Sequence, residues 1–256
     1  MGLFKDLFYI KINKKPALYM DPYGAEINET IEDILSSPHT LIAGTTGSGK
    51  SVLLNNILIS FLNTRGVKNS YILIDPKRVE LSRYKNFPHC IGYTSDTETA
   101  IKYLDYLLEV IEKRYKYLEK HAKVQYKGRH IYLIIDELAD IMISEYNKEF
   151  KRKLQKILQI ARAANVHVIA CTQSPSRKIL DAAIVLNFTN RVALRCLSDI
   201  ESRQIITIAG AEKLPQYGNA LYLSPKNNGI VKINIELMPA DYLKKTKKLW
   251  RRLKIQ

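Results

Sequence analysis

Two periodicities divide this chain. Short, nearly unbroken apolar runs occupy residues 40–44 (TLIAG), 70–76 (SYILIDP), 130–137 (HIYLIIDE), 166–173 (VHVIACTQ) and 190–197 (NRVALRCL). Each reads as a strand buried on both faces. Between them the apolar positions recur at helical spacing, first over residues 50–63. Ile101, Leu104, Leu108, Ile111, Tyr115 and Leu118 do so again after the capping residues Asp96, Thr97 and Glu98, which predicts a long amphipathic helix to about residue 121. Phe150, Leu154, Ile157, Leu158 and Ala161 mark a basic helix over 148–164. Residues 220–225 and 229–237 supply the far end of the sheet. The alternation predicts an α/β fold with a mostly parallel central sheet and helices on both faces.

The two ends depart from this pattern. Residues 1–30 hold short alternating pieces, FYIKI and ALYM, around Pro16 and a DPYG turn, and predict a small β appendage. Residues 31–237 then form the main domain. Over 238–256, Tyr242, Leu243, Thr246, Leu249, Trp250 and Leu253 share one helical face opposite seven Lys/Arg. This basic amphipathic helix is suited to gripping DNA phosphates, lying on anionic lipid, docking on a partner, or packing on its own core through Trp250.

No apolar stretch approaches the ~20 residues of a membrane span. The start MGLFKDLF puts Asp6 where a myristoylation site wants Ser or Thr, and it lacks a signal peptide's apolar core. A cytoplasmic protein is expected, peripheral at a membrane or on DNA at most. Cys90, Cys171 and Cys196, odd in number and widely spaced, read as reduced core residues. The five histidines match no metal-site spacing. Charge adds something the periodicity does not contain. Forty basic against 25 acidic residues leave a net +15, a balance that attracts polyanions such as nucleic acid.

The chemistry begins where the first run meets the first helix. Gly44, Thr45, Thr46, Gly47, Ser48, Gly49, Lys50 and Ser51 fit G-x-x-x-x-G-K-S, with Val52 continuing into the helix. Backbone N–H groups of such a loop wrap a triphosphate, and the helix N-terminus adds partial positive charge. Lys50 would neutralise the β and γ phosphates and Ser51 would offer its hydroxyl to Mg²⁺. The run 132–135 delivers Asp136 as a second Mg²⁺ anchor and Glu137 as the base that polarises an attacking water. Gln173 ends the next run. It is placed to contact the γ phosphate or the lytic water, or simply to cap its strand.

The segments HTLIAGTTGSGKSV, ILIDPKRVELSRY, IEKRYKYLEKHA, LIIDELADIM, ARAANVHVIACTQSPS and GAEKLPQYGNALYL stand in an order and spacing that resembles the motor domain of FtsK/SpoIIIE DNA translocases, over about residues 35–225. The resemblance implies a RecA-like P-loop NTPase bound to ATP and Mg²⁺, a homohexameric ring around double-stranded DNA, and translocation driven by hydrolysis at subunit boundaries. It implies too that Arg162, with Arg191 and Arg203 in reserve, reaches a neighbour's nucleotide. Where the family commonly reads T-Q-R-P, this chain has Thr172-Gln173-Ser174-Pro175, and Asp199 replaces another basic position. Arg177 and Lys178 are the candidate DNA contacts that restore the charge. The length predicts a short, single-domain version, free of membrane spans and guide domain. That suits a mobile-element motor handing DNA to a relaxase, secretion channel or capsid, or a nucleotide-dependent binding switch.

Overall fold

The apolar runs become strands. The computed structural model describes residues 10–12, 19–20, 26–27, 29–63, 69–87, 89–176, 179–227 and 229–235. Its strands are β1 (Ile10–Ile12), β2 (Tyr19–Met20), β3 (Glu26–Ile27), β4 (His39–Ala43), β5 (Asn69–Ile74), β6 (Cys90–Thr94), β7 (His130–Ile135), β8 (Val166–Thr172), β9 (Asn190–Leu194), β10 (Asn219–Leu223) and β11 (Ile230–Ile235). Its helices are α1 (Glu29–Ser36), α2 (Lys50–Asn63), α3 (Thr97–Lys120), α4 (Leu138–Met142), α5 (Asn147–Ile160), α6 (Ala182–Asn187) and α7 (Asp199–Ile206).

Nine strands make one sheet in the order β1-β11-β10-β9-β4-β8-β7-β5-β6, and β2 pairs with β3 separately. From β9 to β6 every pairing is parallel. The pairings of β10 with β9, β11 with β10 and β1 with β11 are antiparallel. Alternation along each strand splits the core in two. Leu41, Ala43, Leu133 and Ile135 face the layer of α3, α5 and α6, while Ile42, Tyr132 and Ile134 join Ile31, Leu53 and Ile57 from α1 and α2. Both faces are therefore covered, which is why the central strands read as unbroken apolar runs. Among the described residues no helix is long and apolar enough to cross a membrane.

Local chemistry sets the ends of the helices. Asp96 caps α3, its carboxylate accepting the Glu98 and Thr99 N–H groups. The basic helix expected over 148–164 stops at Ile160, and Arg162–Ala164 form a tight 3₁₀ turn. The chain must reverse there to enter β8, so Asn165 takes a left-handed backbone with φ +51 and the Val166 N–H returns to the Ala161 carbonyl at 3.2 Å. Two residues of α3 brace this turn. Arg114 donates to the Ala164 and Asn165 carbonyls, and the Tyr115 hydroxyl donates to the Ile160 carbonyl at 2.8 Å.

The three cysteines are free thiols, with Cys171 and Cys196 buried. His167 lies in β8 beside His130, ring nitrogens 2.9 Å apart, with its other nitrogen 2.8 Å from the Ser37 carbonyl. Burial lowers the His167 pKa to about 4. These contacts are structural.

Candidate functional site

The glycine-rich loop leaves the C-terminal end of β4, between β8 and β9, where parallel strands of an open sheet present ligand groups. Both neighbours hold it. The Gly44 N–H donates to the Thr172 carbonyl at 3.2 Å, and the Thr45 N–H and hydroxyl donate to the Arg195 carbonyl at 2.9 and 3.1 Å. Gly47 and Gly49 adopt φ +77 and +107, a region that L side chains rarely enter. At Gly49 a Cβ would also stand 2.9 Å from the Gly218 nitrogen, so a side chain is refused there on two counts.

Lys50 opens α2 and turns under the loop to a position only 5% exposed. Its Nζ donates to the Asp136 carbonyl at 3.0 Å and lies 3.8 Å from Asp136 Oδ1 and 3.6 Å from Glu137 Oε2. Burial alone would lower the ammonium's pKa, but neighbouring Cys171, Asp136 and Glu137 together hold it above the usual lysine value.

The carboxylate pair ends β7. Glu137 is almost fully buried and accepts the Gln173 N–H at 3.0 and 3.2 Å. Lys77 Nζ stands 3.3 Å from Glu137 Oε2 and 3.8 Å from Asp140. The Gln173 side chain turns the other way, and its Oε1 accepts the Thr46 hydroxyl at 3.0 Å. Gln173 thus touches both the glycine-rich loop and the candidate base. A cleft of about 400 Å³ opens over the loop, lined by Thr46, Lys50, Ser51, Val52 and Gln173 among others. That is room for a small-molecule ligand.

Asp136 carries the test for a divalent cation. Its Oδ1 is buried and has no hydrogen-bond partner, as an oxygen reserved for a metal or its water would be. Among the described residues no three His, Cys, Asp or Glu side chains cluster to hold a metal. A cation here would draw its other ligands from the Ser51 hydroxyl, substrate oxygens and water, as Mg²⁺ commonly does.

Burial, with help from Asp75, Glu80 and Glu137 and against Lys50, raises the Asp136 pKa to about 6. Between the usual 3.8 and that value the folded protein keeps a proton that the unfolded chain releases. Stability contributed by Asp136 is therefore full below the lower value and lost as pH rises through the upper one. Asp136→Asn should stabilise the metal-free protein by roughly 1–3 kcal/mol at pH 8 and by little at pH 4. Urea unfolding at the two pH values checks this; an equal gain at both would refute it.

Lys50, Asp136, Glu137 and Gln173 are thus brought together, with Ser51 and Val52 beside them. Arg162 is not among them. It is exposed in the 3₁₀ turn that precedes β8, and the seven residues of that strand put it about 20 Å from the Gln173 end. Arg191, held in reserve for the same role, is instead buried within its own chain and donates to the Phe188 and Ile205 carbonyls. Arg203 is exposed and pairs loosely with Asp199 at 3.5 Å. Arg177, Lys178 and the helix expected over 238–256 lie outside the described residues.

Two contributors carry no motif of their own. Lys77 salt-bridges the candidate base, and the turn at Tyr217 and Gly218 closes the cleft. Their signal lies in the family-like segments ILIDPKRVELSRY and GAEKLPQYGNALYL, whose residue types and spacing point to no particular chemistry.

Known proteins resemble this chain in sequence and in fold. The model of the FtsK/SpoIIIE family matches residues 19–126. DNA translocase SftA of Bacillus subtilis is 38% identical over 213 residues, which are 77% of this chain and 22% of the relative. DNA translocase FtsK of Helicobacter pylori is 34% identical over 233 residues, 85% of this chain and 28% of the relative. The chain thus spans about a quarter of the length of these curated relatives. Among solved structures, the pCW3 conjugation coupling protein TcpA with ATPγS superposes with a TM-score of 0.74 at 24% identity, covering 94% of this chain and 72% of that one. EssC (ATPases 2 and 3) from Geobacillus thermodenitrificans gives 0.73 at 16% identity, covering 99% and 50%. At such identities the likeness is one of fold alone.

Proposed function

We propose, on the premise that this chain belongs to the FtsK/SpoIIIE family, that it is an ATP-hydrolysing motor that moves double-stranded DNA as a homohexameric ring. The observation that carries the proposal is the meeting of Lys50 with Asp136 and Glu137 beneath the glycine-rich loop. A buried ammonium between the loop and a carboxylate pair suits phosphoryl transfer, in which positioning and charge neutralisation do most of the work.

In this reading the loop amides and Lys50 hold the triphosphate. Glu137 accepts a proton from a water as its oxygen attacks the γ phosphorus; the bond from that phosphorus to the bridging oxygen breaks and ADP leaves. Ser51 and Asp136 would hold Mg²⁺, which supplies neutralising charge at the β and γ oxygens when bound. Gln173, linked to Thr46 and Glu137, is suited to report the γ phosphate to the rest of the sheet. Arg162, exposed and far from its own loop, is suited to act on a neighbouring subunit's nucleotide. A net charge of +15 favours a polyanionic track. Delivery of that DNA to a relaxase, secretion channel or capsid is the alternative reading of the same motor.

The test is the ATPase rate with and without linear duplex DNA, with electron microscopy of the same mixture. Duplex should raise turnover at least about tenfold, rings should appear on DNA, and affinity should fall steeply between ~50 and ~200 mM salt as counterions are released. Slow turnover indifferent to DNA would identify a nucleotide-controlled binding switch instead.

A further inference from the structure

The cleft has two unlike ends. Lys50, Gln173 and the carboxylates mark where a γ phosphate would lie, and the amides of Ser51 and Val52 mark the α phosphate, since a glycine-rich loop of this kind reads its triphosphate in that order. Beyond Val52 the cleft is lined by Tyr217, Gly218 and Ile235. Nothing in the hydrolytic chemistry uses them.

Tyr217 is unusual in three respects. The residue is 74% exposed although it is aromatic. Its backbone has φ +66, uncommon for any residue but glycine and unfavourable for a bulky one. The turn that carries it is nevertheless pinned on both sides. The Gly218 N–H donates to the Ser48 carbonyl of the phosphate loop at 2.9 Å, and the Gly218 carbonyl accepts the Ile235 N–H at 2.7 Å. Gly218 itself, with φ +81, lies so close to the Ile235 carbonyl that a Cβ there would collide with it. The fold therefore holds an exposed aromatic ring at a set height beside the glycine-rich loop, in a backbone state that costs energy. Packing does not account for it, because most of the residue is open to solvent.

We infer that Tyr217 is the base platform of this site: its ring stacks on the nucleobase of the bound nucleoside triphosphate, with Val52 and Ile235 as the apolar floor. The inference rests on the nucleotide site proposed above and names what that site selects, an aromatic base rather than a bare triphosphate. A ring face accepts any base, so purine nucleotides with different edges should gain alike.

Calorimetric titration of the full chain in the presence of Mg²⁺ with ATPγS, GTPγS and inorganic tripolyphosphate tests this without relying on turnover. Tyr217→Gly removes the ring and leaves a residue at ease with the positive φ; Tyr217→Phe keeps the ring. Glycine should weaken ATPγS and GTPγS by roughly tenfold or more, the worth of one base stacked on an aromatic ring, while tripolyphosphate affinity stays unchanged. Phenylalanine should bind all three like the wild type. If glycine leaves ATPγS affinity unchanged while Lys50→Ala removes it, the base platform is refuted and the nucleotide site stands. A parallel loss of tripolyphosphate affinity would show that the residue shapes the loop rather than meeting the base, and phenylalanine as weak as glycine would shift the effect to the hydroxyl; either result overturns the inference. Wild-type protein that binds none of the three ligands would overturn the nucleotide site itself.

Discussion

Lys50→Ala should reduce ATP turnover to below about 1% of the wild-type rate, the loss expected when one preorganised charge at a transferring phosphoryl group is removed. Alanine keeps helix propensity at the first position of α2, so the loop and helix should persist. What changes is electrostatic. Asp136 loses the cation 3.8 Å away and Glu137 the one at 3.6 Å, but Glu137 keeps Lys77 at 3.3 Å. Asp136 is left among Asp75, Glu80 and Glu137, all of which already push its pKa upward. The variant should therefore be less stable than the wild type at pH 8, where an uncompensated buried carboxylate is charged. The deficit should shrink at pH 5, where Asp136 takes up a proton. Turnover assays with melting curves at both pH values check the two halves together. Full turnover would remove the site, and a pH-independent loss of stability would remove the electrostatic account.

Glu137→Gln should separate binding from chemistry. Loss of a general base costs about 100- to 10,000-fold in rate, while the amide oxygen still accepts the Gln173 N–H and the side chain keeps its volume. ATP affinity should stay within about threefold, because no interaction with the triphosphate is removed from the loop or from Lys50. The variant should hold ATP and turn it over very slowly, as single-turnover chemistry beside equilibrium binding would read. A rate within about tenfold of wild type would deny Glu137 the role of base. Affinity falling as far as the rate would instead mean that Glu137 organises the loop through Gln173 and Thr46.

Both variants change residues that are legible in the amino-acid sequence. A glycine-rich motif is short and local, and its position between an apolar run and a helical pattern supplies the context it needs. Asp136 and Glu137 are legible for the same reason, at the end of a run too apolar to be anything but a central strand. The long helix α3 announces itself through its spacing and its Asp96 cap. Other elements leave weaker traces. β6 is an edge strand, half exposed along most of its length, so its residues answer to no single face and show no clean alternation. The basic helix α5 ends earlier than its periodicity predicts, because apolar spacing continues through Ala161 whereas the reversal into β8 is imposed by Arg114 and Tyr115 from another helix.

The sequence by itself determined the layered fold, the glycine-rich loop and the carboxylate pair that ends a central strand, because periodicity and steric rules act between residues close along the chain. Only the tertiary structure decided which groups meet. Lys50 reaches Asp136 across 86 positions and Lys77 reaches Glu137 across 60; Gly218 binds the carbonyl of Ser48, and Arg191 turns inward. Such contacts follow from the order of strands in the sheet, a property of the whole chain that no local pattern contains.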